Sequence, residues 1–568
     1  MGPSASGRRL RVLAIMFVIA LAAAACGKSS SSGGGTTSGG AQKKGGSIVL
    51  AAEQWPQCLN PITSCAQASW LPWTAWEYVM PRLMEVDAKG NYVASDLLVE
   101  APTTQNGDIK TSPFTVTFKL RPEAVWDDGT PITSADISFT EDAVMKSKGT
   151  LSTTGYDQIS SIDTADPHTA VIHFKAPYAD WWDLFGGNNA NGVILKKAAF
   201  SSPDVSKDML TSYTFSGGPF KLKSWSKQQS VLVRNDKYWI KSKIPLLDQV
   251  TFVPREDQTT ELNSLATGEA LGAYPQPSIG ITKRVTQPGL KFSSGAGTTY
   301  EGLWMNESKA PFNDEKVREA FAYAVDRQAV IGAIYKSDFP TMQPLNCGNW
   351  VPNVGTWCQG IDNLWGDISY QPDKAKSLLQ SAGWTLGSDG IFAKGGQRLS
   401  IQFSTTAGNH NREATQALLK DKAKAAGIDL VIKNFEPTQL FEDKLPHLDY
   451  QLAEFAEVAP PDPSVTSLMS CDQIPSKANS FSGQNDWAWC DKTATKLLKQ
   501  SDATIDITQR QKLIAQIAQM ERQQMVFLPM FQKPLMLVWH DDRLTGPIGA
   551  YAASSYGGFF NMYAWSLK

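Results

Sequence analysis

The side chains that most often carry out catalysis or bind metal ions are scattered along this chain of 568 residues. His168 and His173 share a β-like segment, and their separation of five residues places them on opposite faces, which makes a poor metal pair. HExxH, GxSxG, GxGxxG and complete Walker motifs are absent from the sequence. GKSS at Gly27 has Ala22 where a P-loop needs glycine. The sequence predicts no metal site, cofactor or catalytic group, although a carboxylate pair for glycosidic chemistry stays open.

Six cysteines remain besides Cys26, and six cysteines allow 15 pairings in principle. Along the chain they fall into three pairs of close neighbours. Zinc binding would need CxxC spacing or nearby histidines, which these cysteines lack. Three pairs of reduced thiols are the alternative, and an oxidising compartment disfavours them. We therefore predict local disulfides on loops, namely Cys58–Cys65, Cys347–Cys358 and Cys471–Cys490.

The amino terminus has the pattern of an export signal. Basic GRRLR precedes an apolar run from Val12 to Ala25 that is too short to cross a bilayer as a stable helix. AAAAC predicts a signal peptide at 1–25 and lipidation of Cys26, although Ala23 stands where leucine is usual. Arg8-Arg9 leaves both Sec and twin-arginine export open. Residues 26–46 then form a Ser/Gly-rich flexible tether.

Composition indicates an ordinary globular protein of two to four domains, with 42% hydrophobic and 19% charged residues. The net charge is 53 − 55 = −2, and it becomes 50 − 55 = −5 without Arg8, Arg9 and Arg11. Because nothing in this charge attracts polyanions, nucleic acid is not predicted as a partner.

The clearest structural pattern lies between Thr298 and Ile331. Residues 299–306 read as a strand, and Asn313-Asp314 supplies a helix cap. Five residues at 3- and 4-residue spacing predict one continuous helical face: Val317, Ala320, Phe321, Ala324 and Gln328.

Other segments extend this α/β pattern. FTVTFKL from Phe114 predicts a half-buried strand, and Ser134 is the expected cap of the following helix. Trp70, Trp73 and Trp76 fall on one helical stripe, which is more typical of core than of a site. From Pro372 onward strands and helices alternate, so any ligand is expected at strand ends.

Three blocks carry a family resemblance: VREAFAYAVDR from Val317, LRPEAVWDDGTPITSADISF from Leu120, and RNDKYW from Arg234. They resemble the family 5 extracytoplasmic solute-binding proteins of ABC importers, the peptide-binding group. The resemblance implies a two-lobed α/β fold of the type II periplasmic-binding-protein class, with an extra domain inserted in the first lobe. When the domain boundaries of the family are transferred approximately to this chain, lobe I comprises 47–77, 203–295 and 536–568. The inserted domain is then 78–202, and lobe II is 296–535.

The implied function is capture of an oligopeptide or dipeptide between two closing lobes and its delivery to an ABC importer permease. The protein would be a non-enzymatic monomer on the outer face of the cell membrane, held there by its lipid anchor. An oligosaccharide or another non-peptide solute is the alternative, and an extracytoplasmic hydrolase is a remote one.

The resemblance also suggests where the solute would lie. The expected cleft residues are Glu53, Gln54, Trp55, Tyr300, Glu301, Phe455 and Glu457. Each of them has a non-functional alternative, either as part of the core or as a solvated charge. Peptide-binding relatives carry an aspartate three residues before the late [DE]P pair, where it meets the peptide amino group. This chain has Ala459 at that position, so Glu457 is the expected substitute.

Overall fold

The structure, a computed structural model, describes residues 43–63, 65, 70–87, 90–186, 192–459, 461–479, 481, 483–549 and 557–568. These belong to one compact unit spanning 42–568. The predicted signal peptide, Cys26 and the tether up to residue 42 lie outside the described residues. Within the described ranges, no helix combines the length and apolarity that crossing a membrane requires.

The chain alternates strands and helices. The strands are β1 Ser47–Ala52, β2 Met84–Val86, β3 Tyr92–Ala94, β4 Ile109–Thr111, β5 Phe114–Lys119, β6 Ile159–Asp166, β7 Thr169–Phe174, β8 Phe220–Trp225, β9 Ser230–Arg234, β10 Gln249–Pro254, β11 Gly272–Ala273, β12 Leu290–Met305, β13 Thr385–Leu386, β14 Phe392–Lys394, β15 Gln397–Arg398, β16 Ser400–Ser404, β17 Asp429–Ile432, β18 Leu452–Val458, β19 Phe527–His540, β20 Leu544–Thr545 and β21 Ser566–Leu567. The helices are α1 Ser134–Lys146, α2 Gln258–Ala266, α3 Ile281–Val285, α4 Glu315–Ala324, α5 Arg327–Ile334, α6 Pro372–Ser381, α7 His410–Ala425, α8 Pro437–Gln439, α9 Thr466–Met469, α10 Lys492–Asp502 and α11 Ile507–Gln524.

Ten strands form one mixed sheet in the order β17-β16-β18-β12-β19-β11-β1-β10-β9-β8. The long strands β12 and β19 pair antiparallel at its centre and join its two halves. Parallel pairs lie in both halves, β1 with β10 and β11, and β16 with β17 and β18. A separate four-stranded sheet, β4-β5-β7-β6, is antiparallel. The predicted α/β fold class is confirmed.

The buried apolar side chains divide into two clusters. One packs helices such as α4, α5 and α11 against β12, β16, β18 and β19, and Trp304 is fully buried within it. The other surrounds β1, β10 and the four-stranded sheet, and includes Trp70 and Trp76. These two tryptophans are core, as the sequence suggests, while Pro72–Trp76 forms a single π-helical turn rather than a full helix.

Two predicted helix features are wrong in detail. The helix expected to run through Gln328 breaks after Ala324, because Asp326 accepts a hydrogen bond from the Ala329 amide at 2.9 Å and starts a second helix. Gln328 is consequently exposed. The cap of α1 is Thr133 rather than Ser134: its amide donates to Asp136 at 2.9 Å in a capping box.

All three predicted disulfides are present: Cys58–Cys65, Cys347–Cys358 and Cys471–Cys490. Each closes a short loop of 7, 11 or 19 residues in sequence separation. They therefore fix loops locally and do not join distant parts of the fold.

Candidate functional site

The carboxyl end of β1 contributes Glu53, Gln54 and Trp55. The Glu53 carboxylate accepts hydrogen bonds from Gln276 Nε2 at 2.6 Å and Trp70 Nε1 at 3.3 Å. Burial raises the pKa of Glu53, although these hydrogen bonds and the charge of Lys533 oppose the shift. Gln54 is exposed, at the same edge of the sheet.

Trp55 is nearly buried, and two contacts fix the orientation of its ring. Its Nε1 donates to the main-chain oxygen of Ser226 at 3.0 Å. Its ring stacks on Trp225 with 6.4 Å between centroids and 5° between planes. The stacked pair places two aromatic rings beside the end of β1.

Glu301 on β12 lies at the centre of a buried charge cluster. Arg412, at the start of α7, donates from Nη2 at 2.9 Å and from Nε at 3.2 Å, and Lys533 Nζ of β19 lies 3.2 Å from the carboxylate. Burial opposes ionisation, yet the two cations hold the pKa of Glu301 below its ordinary value. Lys533 acts electrostatically on Glu53 as well. One cation therefore links the end of β1 to the crossing strand.

Two further buried acids extend this cluster. Burial, followed by the charge of Glu301, raises the pKa of Glu454 well above its ordinary value. Burial, followed by the charge of Glu53, does the same for Glu261. Both oxygens of Glu261 have no hydrogen-bond partner among the described residues. The junction between the two halves of the sheet thus contains several buried acids whose pKa values are raised by burial and by neighbouring carboxylates.

The opposite face of β12 and β18 holds a different set. Tyr300 lies directly across from Glu457, and Gly302 across from Phe455, so Tyr300, Phe455 and Glu457 share one face. Glu301 lies on the other face. Phe455 stacks on Trp304 at 5.3 Å, and neither Tyr300 nor Phe455 reaches the surface.

A hydrogen-bonded chain runs inward from Tyr300. Its hydroxyl donates to Asn349 Oδ1 at 2.7 Å, and Asn349 Nδ2 donates to Glu521 Oε2 at 2.9 Å. Burial raises the pKa of Glu521 to about 8. This chain fixes the position of the Tyr300 ring.

Glu457 and Asp486 are two partly buried acids in the same neighbourhood. Burial, with the charge of Asp486 adding to it, raises the pKa of Glu457 to about 8. Burial raises the pKa of Asp486 to about 7. In the ranges that the structure describes, neither carboxyl is within ion-pair distance of a basic side chain. Two neighbouring acids without a basic partner favour the binding of a positively charged group.

The loop after β18 is anchored by Asp462. Its carboxylate pairs with Arg510 through Nη1–Oδ2 at 2.5 Å and Nη2–Oδ1 at 2.6 Å. Its amide donates to the Tyr92 hydroxyl at 3.1 Å. Ala459, at the position where the family resemblance predicts an amine-binding acid, donates its amide to the Thr298 main-chain oxygen at 2.8 Å and is buried.

The structure thus separates the seven predicted residues into groups. Glu53 and Glu301 belong to the cluster around Lys533, Gln54 and Trp55 line the adjoining edge, and Tyr300, Phe455 and Glu457 lie on the far face of β12 and β18. Sequence reasoning missed Arg412, Lys533, Asp486 and Arg510, since nothing local distinguishes them from ordinary surface charges. A signal existed only for Arg510, because its partner Asp462 stands in the [DE]P pair noted in the sequence.

Comparison with known proteins is consistent with this geometry. The model of the bacterial extracellular solute-binding proteins, family 5, matches residues 97–475. The oligopeptide-binding protein OppA of Mycobacterium tuberculosis is 27% identical over 375 residues, covering 64% of this chain and 61% of the relative. The chain thus spans about three fifths of that relative's length. The oligopeptide-binding protein AppA of Bacillus subtilis is 25% identical over 412 residues, covering 71% and 72%.

Solved structures show the same fold. The periplasmic EDTA-binding protein EppA superposes with a TM-score of 0.81 at 19% identity, covering 93% of this chain and 97% of that one. AppA from Bacillus subtilis, in complex with a nonapeptide, gives 0.77 at 21% identity, covering 93% and 100%. Both are similar to this chain in architecture.

Proposed function

This chain belongs to the bacterial extracellular solute-binding proteins, family 5, and from that premise we propose that it binds an oligopeptide or dipeptide and delivers it to an ABC importer permease. The relatives that are named oligopeptide-binding proteins support a peptide as the solute. The observation that carries the proposal is the pair Glu457 and Asp486, two acids with raised pKa values and no basic partner within ion-pair distance among the described residues. The ammonium group of a peptide supplies the missing charge.

The proposed mechanism is closure of two lobes around the solute. We assign 47–77, 203–295 and 536–568 to lobe I, 78–202 to an inserted domain and 296–535 to lobe II. The strands β12 and β19 then connect the lobes and serve as the hinge. A solute that touches both lobes favours the closed form, because only that form offers both sets of contacts.

We propose that Glu53, Gln54 and Trp55 meet the solute from lobe I, and that Glu301 and Glu457 meet it from lobe II. We assign Tyr300 and Phe455 to the set with Glu457, because these three residues share one face of β12 and β18, and Asn349 holds the Tyr300 hydroxyl in place. Lys533 ties Glu53 to Glu301 and so couples the two sides electrostatically.

The remaining features follow from the same proposal. The protein is a monomeric binder without enzymatic activity, exported through 1–25 and held by lipidated Cys26 on the outer face of the cell membrane. A second candidate function is binding of a non-peptide solute. The similarity in fold to an EDTA-binding protein supports this alternative. A hydrolase has no supporting observation.

The deciding experiment is calorimetry of peptides with free and acetylated amino ends. Glu457→Gln removes one charge of the proposed pair and should weaken free-amine peptides by about 2–5 kcal/mol. Acetylated peptides should change little, and the exposed-site control Asp542→Asn should change neither. For an uncharged sugar, Glu457→Gln costs only about one hydrogen bond, roughly 0.5–1.5 kcal/mol. Equal affinity of the parent for free and acetylated peptides would refute the assignment of Glu457.

The binding class itself is tested by thermal unfolding. A true ligand stabilises the folded protein logarithmically with concentration, by about 2.7 kcal/mol at one hundred times Kd. Turnover of a peptide or glycan at enzyme-like rates would instead support a hydrolase.

A further inference from the structure

The proposed inserted domain and proposed lobe II meet at a contact that uses none of the seven residues assigned to the solute. Its members are Tyr92, Ala179, Trp182 and Asp183 on the inserted domain, and Asp462, Asp502 and Ile505 on lobe II. Trp181, beside this contact, belongs to the core around the four-stranded sheet, whereas Val465 belongs to the core around β12 and β18. We call it the interdomain contact, because it joins segments that pack in different cores.

Two hydrogen bonds cross the interdomain contact. The Asp462 amide donates to the Tyr92 hydroxyl oxygen at 3.1 Å, and these residues are 370 positions apart in the chain. The Ala179 amide donates to the main-chain oxygen of Asp502 at 2.6 Å. Because a hydrogen bond weakens steeply with distance and angle, both bonds exist only while the two segments stay in this arrangement.

Ile505 adds an apolar crossing. It lies between α10 and α11, whose side chains Leu498 and Ile514 pack in the core around β12 and β18. The Ile505 side chain instead packs, half-buried, against the core around the four-stranded sheet. Apolar surface of Ile505 is therefore removed from water only while the two segments touch.

The inserted-domain half of the contact is organised around Tyr92. Its ring stacks on Trp182 with 5.3 Å between centroids and 8° between planes. Its hydroxyl donates to Asp183 Oδ1 at 2.8 Å. Because Asp183 takes the hydroxyl proton, the oxygen is left as an acceptor, which matches the Asp462 amide that it meets.

The lobe II half is held just as firmly. The Asp462 carboxylate is paired with Arg510. Trp357 Nε1 donates to the main-chain oxygen of Pro461 at 2.7 Å, and Trp350 Nε1 donates to that of Pro463 at 3.0 Å. The residues on both sides of Asp462 are thus fixed, and its amide is aimed at Tyr92. Two preorganised halves lose little conformational entropy when they come together.

We propose that the interdomain contact is a latch that holds the closed form, and that Tyr92 is its positioning residue. The inference rests on the proposed function, because it takes lobe II to move relative to lobe I and the inserted domain. The latch supplies interactions that the open form lacks, so it shifts the equilibrium toward closure without touching the solute. The inserted domain then has a role of its own, which is to set how long a captured solute is retained.

The test is energy transfer between two dyes on the full chain, attached through Lys110→Cys on the inserted domain and Lys496→Cys on lobe II, both at exposed positions. Tyr92→Phe keeps the stacked ring and removes the hydroxyl. It should lower the closed-to-open ratio of the unliganded protein by about two- to twelvefold, the effect of one net hydrogen bond. Ile505→Ala should lower the ratio by about five- to tenfold, because it removes part of a half-buried side chain.

Release of a peptide probe, trialanine, gives the second readout. Tyr92→Phe should raise its release rate by up to the same factor and leave its association rate unchanged, because the latch forms after the solute has entered. The matched control is Tyr238→Phe, whose hydroxyl donates to Asp96 at 3.2 Å within lobe I and the inserted domain. That variant should leave both the closed-to-open ratio and the release rate at the parent values.

The outcomes separate the latch from the choice of solute. A closed-to-open ratio that is the same in the parent, Tyr92→Phe and Ile505→Ala would overturn the latch and show that the contact is a permanent part of one rigid body. An equal fall in Tyr238→Phe would overturn it as well. If Tyr92→Phe lowers the ratio while trialanine leaves the parent unchanged, the latch is supported and trialanine is refuted as a solute.

Discussion

Asp462 and Arg510 form a two-armed ion pair in which each carboxylate oxygen meets its own guanidinium nitrogen, at 2.5 and 2.6 Å. The two side chains are only 2% and 3% exposed. The pair fixes the loop after β18 to α11. Because both charges are out of water, each depends on the other for its stabilisation.

We expect Arg510→Ala to lower the free energy of unfolding by about 3–5 kcal/mol, since it leaves the Asp462 carboxylate buried and unpaired. The matched control is Arg522→Ala on the same helix, whose partner Asp367 is largely exposed. That variant should lose about 1 kcal/mol or less. Urea denaturation measures both, and equal losses would show that burial of the Asp462–Arg510 pair does not matter.

Asp180 predicts a pH dependence of stability. Burial, followed by the charges of Asp462 and Asp183, raises its pKa well above the ordinary value, and Arg510 only partly offsets this. The folded state therefore binds this proton more tightly than the unfolded state. The contribution to stability is fully present below the unfolded pKa of about 3.9 and is lost as pH rises through the folded pKa.

Asp180→Asn should accordingly raise Tm relative to the parent near pH 8 and have little effect near pH 4. Asp542→Asn is the control, and its effect on stability should have the opposite pH dependence. The reason is that a hydrogen bond from His540 lowers the pKa of the exposed Asp542 carboxyl. Thermal unfolding across this pH range measures both variants. A stabilisation by Asp180→Asn that does not change with pH would contradict the prediction.

The pKa of Glu457, about 8, predicts that affinity for free-amine peptides rises with pH between 6 and 8. Only the ionised carboxyl pairs with an ammonium, and its fraction increases from about 1% to one half across this range. Titration of the peptide amine, with an ordinary pKa of about 7.7–8.0, reduces this gain two- to threefold by pH 8. We expect a net rise of about twentyfold by calorimetry, together with a flat profile for acetylated peptides and for Glu457→Gln. A rising profile in Glu457→Gln would assign the titration to another group, such as Asp486.

Cys26→Ala should release the protein from the membrane fraction, because the variant cannot be lipidated at this position. Ser30→Ala, four residues further along the tether, is the control and should stay with the membrane. Fractionation followed by mass spectrometry of the amino terminus measures the outcome. A Cys26→Ala protein that still sediments with membranes after signal-peptide removal would refute the anchor.

Much of the fold was accessible from local sequence patterns. The end of β12, the cap at Asp314 and the alternation of β16, α7 and β17 were predicted within a few residues, since caps and periodicities act over short distances. The start of β12 was not: the strand begins at Leu290, nine residues before the predicted start at Thr299. The continuous helix through Gln328 was not, because the capping bond from Ala329 to Asp326 competes with helix continuation. Pairing of neighbouring cysteines was likewise a short-range inference, and all three disulfides are present.

The candidate site was accessible from the sequence only in part. Glu53, Glu301 and Glu457 are predictions from the family pattern, and the side chains that contact them could not be named. Arg412 lies 111 residues from Glu301 in sequence, and no spacing rule connects them.

The sequence by itself determined the family, the α/β class and the positions of individual elements, because these depend on contacts among near neighbours. Only the tertiary structure decided which charges meet: that Lys533 links Glu301 to Glu53, and that Glu457 and Asp486 have no basic side chain within ion-pair distance among the described residues. The physical reason is that burial and charge pairing set the protonation of a carboxyl. Both are properties of the packed molecule, in which strands hundreds of residues apart become neighbours.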